Sequence, residues 1–138
     1  MSRRLEGLIL ISREILPKAS RLNKRRSGLG LDIVEVSRVK AVAGRSKRFL
    51  TRVFTADEIA YCQAKKNPWP HFAVRFAAKE AVWKALGDKA LTLRDISVSR
   101  DKLGRPSALI LSKKAPSLDL SLTHSRDYAL AVAVSRGK

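Results

Sequence analysis

A chain of 138 residues has room for one core and not comfortably for two, so a single domain is expected. Lys and Arg number 29 against 12 Asp and Glu, a formal charge of +17, which makes anions the natural partners: nucleic acid, acidic membranes, polyanionic cofactors or acidic proteins. A single cysteine, Cys62, excludes an internal disulfide and fits a reducing, cytoplasmic setting; His71 and His124 alone give no structural zinc site, and no run approaches the ~18 apolar residues of a membrane span.

Residues 1–27 are crowded with Arg and Lys against only Glu6 and Glu14, and form a basic extension to a domain at 28–138. Its apolar run at 8–11 is too short for a secretory signal. Leu5, Leu8, Ile9, Ile15 and Leu16 keep a helical spacing that Pro17 stops, so a short amphipathic helix and a basic linker are expected. From Gly28 the period becomes two. Leu29, Leu31 and Ile33 alternate with Gly30, Asp32 and Val34, which predicts a strand whose Asp32 points opposite the leucines. A strand acid among apolar neighbours is costly if buried alone; a salt-bridge partner and a metal are both open readings.

A helix follows over 35–43, and the turn after it, GRSKRF, gathers Arg45, Lys47 and Arg48 near Arg38 and Lys40, ordinarily a solvated face. Thr55 and Glu58 form a capping box that starts a second helix. That helix holds Cys62, taken as a small, partly buried residue, and ends before the NPWP at 67–70. Residues 72–87, FAVRFAAKEAVWKALG, make the central amphipathic helix: Phe72, Phe76, Trp83 and Leu86 share a core stripe, and Gly87 closes the C-terminal end. Ala73 and Ala77 leave room for something to approach the helix, with Glu80 and Lys84 on the same face at i, i+4. That pair is either a helix-stabilising ion pair or a carboxylate and an ammonium offered to a ligand. Arg75 and Lys79 flank the aromatic stripe, where they either snorkel to water or meet an anion. Beyond Gly87 the sequence predicts two hairpins, DISVSR with PSALIL and LDLSLTH with YALAVAVS. The class is therefore α+β, an N-terminal strand and helices packed on a mostly antiparallel sheet.

Three motifs stand together in this order: GLDIVEVSR with Asp32, RFAAKEA with Glu80 and Lys84 one turn on, and SLTH with His124. From Gly28 onward the chain resembles holo-acyl-carrier-protein synthase, the small phosphopantetheinyl transferase type. Its hallmarks are G-[IV]-D-[IVL]-x-x-x-x-R, R-F-A-A-K-E-A and S-[IL]-[ST]-H. The resemblance implies transfer of phosphopantetheine from coenzyme A to a serine of apo acyl carrier protein, with release of adenosine bisphosphate, in the service of fatty acid biosynthesis. It implies Mg²⁺ on Asp32 and Glu80, Lys84 on the pyrophosphate, and cofactor contacts from Arg75, Lys79, Gly87 and His124. Arg38, Arg45, Lys47 and Arg48 would face the acidic carrier, and the enzyme would be a homotrimer with shared sites. The general base stays open among Asp32, Glu80 and a water on the metal.

The chain departs from the family's glycine-rich loop after the central helix. It has GDKALT at 87–92, with one glycine, and a short connection at 112–117. The rival class is a small basic nucleic-acid-binding protein, against which stand the absence of an aromatic-basic RNA signature, of zinc spacing and of a recognition helix. A carrier-binding module that has lost catalysis is a third class, opposed by the retention of Asp32, Glu80 and Lys84.

Overall fold

The computed structural model describes residues 27–114 and 117–137. The expected N-terminal amphipathic helix and basic linker lie outside the described residues. Strand β1 (Gly28–Glu35) leads into helices α1 (Val36–Arg45), α2 (Lys47–Val53), α3 (Ala56–Gln63) and α4 (Trp69–Leu86). A 3-10 turn (Leu93–Asp95) precedes β2 (Ile96–Arg100), β3 (Pro106–Ile110), β4 (Lys113–Lys114), β5 (Leu118–His124) and β6 (Tyr128–Ser135). Both expected hairpins form, and they belong to two antiparallel sheets, β1-β6-β5 and β2-β3-β4. The first strand pairs with the last, from Gly28 opposite Ser135 to Glu35 opposite Tyr128.

Helix α4 is central in a stronger sense than a single apolar stripe predicts. Every residue from Phe72 to Trp83 is buried, so the helix is enclosed on all sides rather than amphipathic. What approaches its alanines is the sheet itself. Ala129, Ala131 and Ala133 of β6 are fully buried, and glycines bring β1 closer still: a Cβ on Gly30 would overlap the Ala81 carbonyl, and one on Gly28 that of Ala85. Small residues on both elements let backbone meet backbone, and that closeness carries the inward-facing Asp32 to the helix surface.

The helix ends follow their local chemistry. Pro70 occupies the first turn of α4, where no intrahelical N–H is required, so the helix starts at Trp69 rather than after the prolines. Gly87 closes it in the left-handed conformation, φ 65°. The Thr55–Glu58 capping box is present, with Thr55 N donating to Glu58 Oε1 at 2.9 Å and Glu58 N to Thr55 Oγ1 at 3.3 Å. The segment expected as a turn after α1 is instead a helix, α2, set off by the extended backbone of Ser46 and anchored by buried Phe49 and Val53 four residues apart. Among the described residues no helix is long and apolar enough to cross a membrane.

Candidate active site

The spacing of β1 puts Asp32 on the inner face of the sheet, and α4 puts Lys84 opposite it. Lys84 Nζ stands 3.3 Å from Asp32 Oδ1 and donates to the Leu31 carbonyl at 3.0 Å. Both side chains are largely covered. Burial pushes the Asp32 carboxyl up to about 6, with the charge and hydrogen bond of Lys84 pulling the other way. One turn before Lys84, Glu80 is 1% exposed. Lys84 therefore bridges helix to strand, a role its spacing from Glu80 alone does not reveal.

The test for a metal is the donor set. Among the described residues no group of three or more His, Cys, Asp and Glu is placed to hold a metal ion, so these residues offer at most two such ligands at one site. Two covered carboxylates are the usual protein share of a Mg²⁺ site, in which phosphate oxygens and waters complete the shell. Asp32 and Glu80 fit that ion and do not fit zinc.

A second cluster lies toward the N-terminal half of α4. Arg75 lines a small cleft of about 80 Å³ with Tyr61, His71, Ser99, Arg100 and His124. Arg75 is 7% exposed and makes no salt bridge among the described residues, and its Nε has no hydrogen-bond partner. The His71 and His124 rings are 6.0 Å apart at their centroids. Burial first, then the charges of Arg75, His124, Lys65 and Arg100, pull His71 down from its ordinary value. A cleft with this lining favours anions. Sequence reasoning named Arg75 and His124 but missed Tyr61, His71 and Arg100, which come from different elements and converge only in the fold. Nine residues of helix, about 13 Å along its axis, separate Arg75 from Lys84.

Two expected cofactor contacts are otherwise engaged. Lys79 neither snorkels nor faces a cleft: it is 0% exposed, and its three ammonium donors go to Glu58 Oε1 at 2.6 Å, the Leu93 carbonyl at 3.2 Å and the Ile96 carbonyl at 2.6 Å. Enclosure of α4 on every side is the reason, since the flank of the aromatic stripe is core here. The Gly87 N–H is bonded to the Trp83 carbonyl, which removes it as a backbone donor to phosphate. In the shortened loop beyond, Asp88 Oδ1 accepts the Ala90 N–H at 2.9 Å, leaving Lys89 exposed. Arg38, Arg45, Lys47 and Arg48 are all exposed along α1 and the start of α2; Arg38 has only a long contact, 3.9 Å, to Glu35.

The sequence pattern of the 4'-phosphopantetheinyl transferase superfamily matches residues 28–133. The holo-[acyl-carrier-protein] synthase of Chlamydia trachomatis serovar L2 is 43% identical over 116 residues, covering 78% of this chain and 98% of its own length. That of Caldanaerobacter subterraneus subsp. tengcongensis is 37% identical over 119 residues, covering 79% and 94%. Among solved structures, the Bacillus anthracis holo-(acyl-carrier-protein) synthase in complex with CoA (3',5'-ADP) superposes with a TM-score of 0.70 at 31% identity, over 80% of this chain and 96% of that one. The Helicobacter pylori synthase in complex with coenzyme A gives 0.66 at 32%, over 76% and 96%. The chain belongs to the 4'-phosphopantetheinyl transferase superfamily and, within it, to the holo-[acyl-carrier-protein] synthases.

Proposed function

We propose that the chain transfers the phosphopantetheine arm of coenzyme A to a serine hydroxyl of an apo acyl carrier protein in the cytoplasm, with adenosine 3',5'-bisphosphate as leaving group. The serine oxygen forms a bond to the phosphorus that carries the pantetheine, and the pyrophosphate bridge breaks. The observation that carries this reading is the covered Asp32–Lys84 pair, one helical turn from buried Glu80, on the residues that the family motifs mark. Asp32 and Glu80 would hold Mg²⁺, which supplies neutralisation of pyrophosphate charge when bound. Lys84 meets the oxygen that gains charge as the bridge opens. Asp32, with a carboxyl near 6, and Glu80 are the side chains suited to take the serine proton. Arg75 and His124 contribute the anion cleft for another phosphate of the cofactor. Mass spectrometry of apo carrier protein incubated with this protein, coenzyme A and Mg²⁺ tests the reading; an unchanged carrier mass sinks it.

The working enzyme is proposed to be a homotrimer with sites shared between neighbours. The number three comes from the family resemblance, and the surface supports an assembly. Leu29, Leu31 and Ile33 are 56–70% exposed on the outer face of the sheet, and their register partners on β6 are Val134, Val132 and Leu130. Light scattering that returns a monomer mass for the active enzyme contradicts the trimer.

The exposed row Arg38, Arg45, Lys47 and Arg48 is assigned to the carrier, whose acidic surface it would steer and orient. Carrier KM is expected to rise several-fold between low salt and ~0.15 M, where the Debye length is ~8 Å. Arg38→Ala with Arg45→Ala should raise it further and flatten the salt response, with the KM for coenzyme A unmoved. A carrier KM indifferent to both changes, with DNA or RNA competing strongly instead, favours the nucleic-acid reading.

A further inference from the structure

Arg75 is a buried cation that makes no salt bridge among the described residues, although Asp57 and Glu58 line the adjoining cleft that it shares with Tyr61 and Arg100. Its Nη1 donates to the His71 carbonyl at a long 3.4 Å, and its Nε has no hydrogen-bond partner. The neighbouring Cys62 thiol is pushed up to about 11 by burial, against the pull of Arg75, and so stays neutral. What the guanidinium does rest on is an aromatic ring: its Cζ lies 4.1 Å from the centroid of Tyr61. Lys65 Nζ is 4.4 Å from the same centroid, and the His71 ring stands edge-on to it at 6.2 Å. Tyr61 itself is 40% exposed and stands outside the buried core.

A long side chain ordered over a ring, rather than by a carboxylate, keeps its full charge for a ligand. A carboxylate in the same place would fix the guanidinium equally well but would neutralise it and compete with any phosphate. The ring's π face holds the cation without either cost. Guanidinium is also the cation that stacks on a ring while still offering its edge N–H groups, which an ammonium does not do.

We propose that Tyr61 is a positioning residue for the transfer: its ring is the shelf that holds Arg75 at the cleft it shares with His71, Arg100 and His124, ready for a phosphate of coenzyme A. This rests on the reading of that cleft as part of the cofactor site. Tyr61 acts through Arg75 and touches no reacting atom, so its removal bears on cofactor binding and not on the chemical step.

The experiment is steady-state kinetics of the full chain with coenzyme A varied, and calorimetric titration of coenzyme A, for wild type, Tyr61→Leu, Tyr61→Phe, Arg75→Ala and the double variant Tyr61→Leu/Arg75→Ala. Tyr61→Leu is expected to raise KM and Kd for coenzyme A about fivefold, the size of one partly covered cation–π contact, with kcat and the carrier KM within about twofold of wild type. Tyr61→Phe keeps the ring and should restore wild-type KM. In the Arg75→Ala background Tyr61→Leu should add nothing, because the shelf then holds no cation. Arg75→Ala that raises KM while Tyr61→Leu does not overturns the shelf and leaves the cleft assignment standing. Arg75→Ala without effect on KM overturns the cleft assignment and the shelf with it. A Tyr61→Phe variant as impaired as Tyr61→Leu, or a Tyr61→Leu variant that loses kcat and thermal midpoint together, also overturns the proposal, since a ring acting only on cofactor binding predicts neither.

Discussion

Asp32→Asn should reduce holo-carrier formation by about 10³-fold or more and, in the absence of metal, raise the thermal midpoint of the protein. The activity loss follows from removing a proposed metal ligand and the charge facing Lys84. The gain in stability follows from the cost of the native carboxylate. Asp32 is held on the inner face of β1 by the close approach of Gly30 to α4, and burial raises its carboxyl to about 6 from 3.8. A raised acid binds its proton more tightly in the folded state, so wild-type stability carries a penalty that is absent below about pH 4, grows as pH rises toward 6 and is constant above. The shift corresponds to on the order of 2–3 kcal/mol at neutral pH, part of which Asn forfeits because Lys84 loses its charged partner; a net gain of about 1 kcal/mol is expected. Melting curves in EDTA check it: the midpoint difference between variant and wild type should widen from pH 4 to 6 and then level off. A difference that stays flat across that range overturns the burial account, and near-normal turnover of the variant at ordinary Mg²⁺ overturns the metal assignment.

Asp32 was legible in the sequence because a strand's period of two is local: the alternation 29–34 alone sets it opposite the leucines. The capping box at Thr55, the left-handed Gly87 and the two hairpins were legible for the same reason, each being decided within a few residues. The enclosure of α4 was not. Its second wall is built by β1 pairing with β6, between residues about a hundred positions apart, and local periodicity carries no information about a contact that distant. A stripe of Phe72, Phe76, Trp83 and Leu86 implies one core side; the alanine side became a second once Gly28, Gly30 and the β6 alanines brought a sheet against it. Misplacing that wall is what left Lys79 on an imagined surface. The outward-facing Leu29, Leu31 and Ile33 invert the usual rule that the larger apolar set of a strand faces its own core, and the proposed homotrimer would cover them. Arg75 and His124 were reachable through motif resemblance alone, whereas Tyr61 and Arg100 join them only because α3 and β2 pack beside α4.

Glu58→Gln should cost about 3 kcal/mol of folding stability, and that cost should shrink as pH rises. Glu58 does more than cap its own helix: Oε1 accepts from Thr55 N and from Lys79 Nζ, and Oε2 accepts from Val98 N at 3.1 Å, so one carboxylate joins α3, α4 and β2. Its charge is what makes a fully buried ammonium tolerable at Lys79. Burial already lowers the Lys79 pKa, and Glu58 is the group that opposes it. With Gln at 58 the ammonium is left with neutral oxygens alone, the Leu93 and Ile96 carbonyls and at most the amide oxygen of the new side chain, and an uncompensated buried charge typically costs ~3–5 kcal/mol. The pH response follows from linkage. A lysine whose folded pKa is pushed further below its unfolded value binds fewer protons in the native state, so stability of the variant rises with pH as Lys79 deprotonates. Urea unfolding at pH 7 and pH 9.5 should therefore show the gap between variant and wild type narrowing at the higher pH. Adding Lys79→Met removes the stranded charge altogether, and the double variant should be more stable at pH 7 than Glu58→Gln alone. A double variant less stable than the single one, or a gap that widens with pH, would mean that Lys79 is held by packing of its stem and that its charge is not what Glu58 serves.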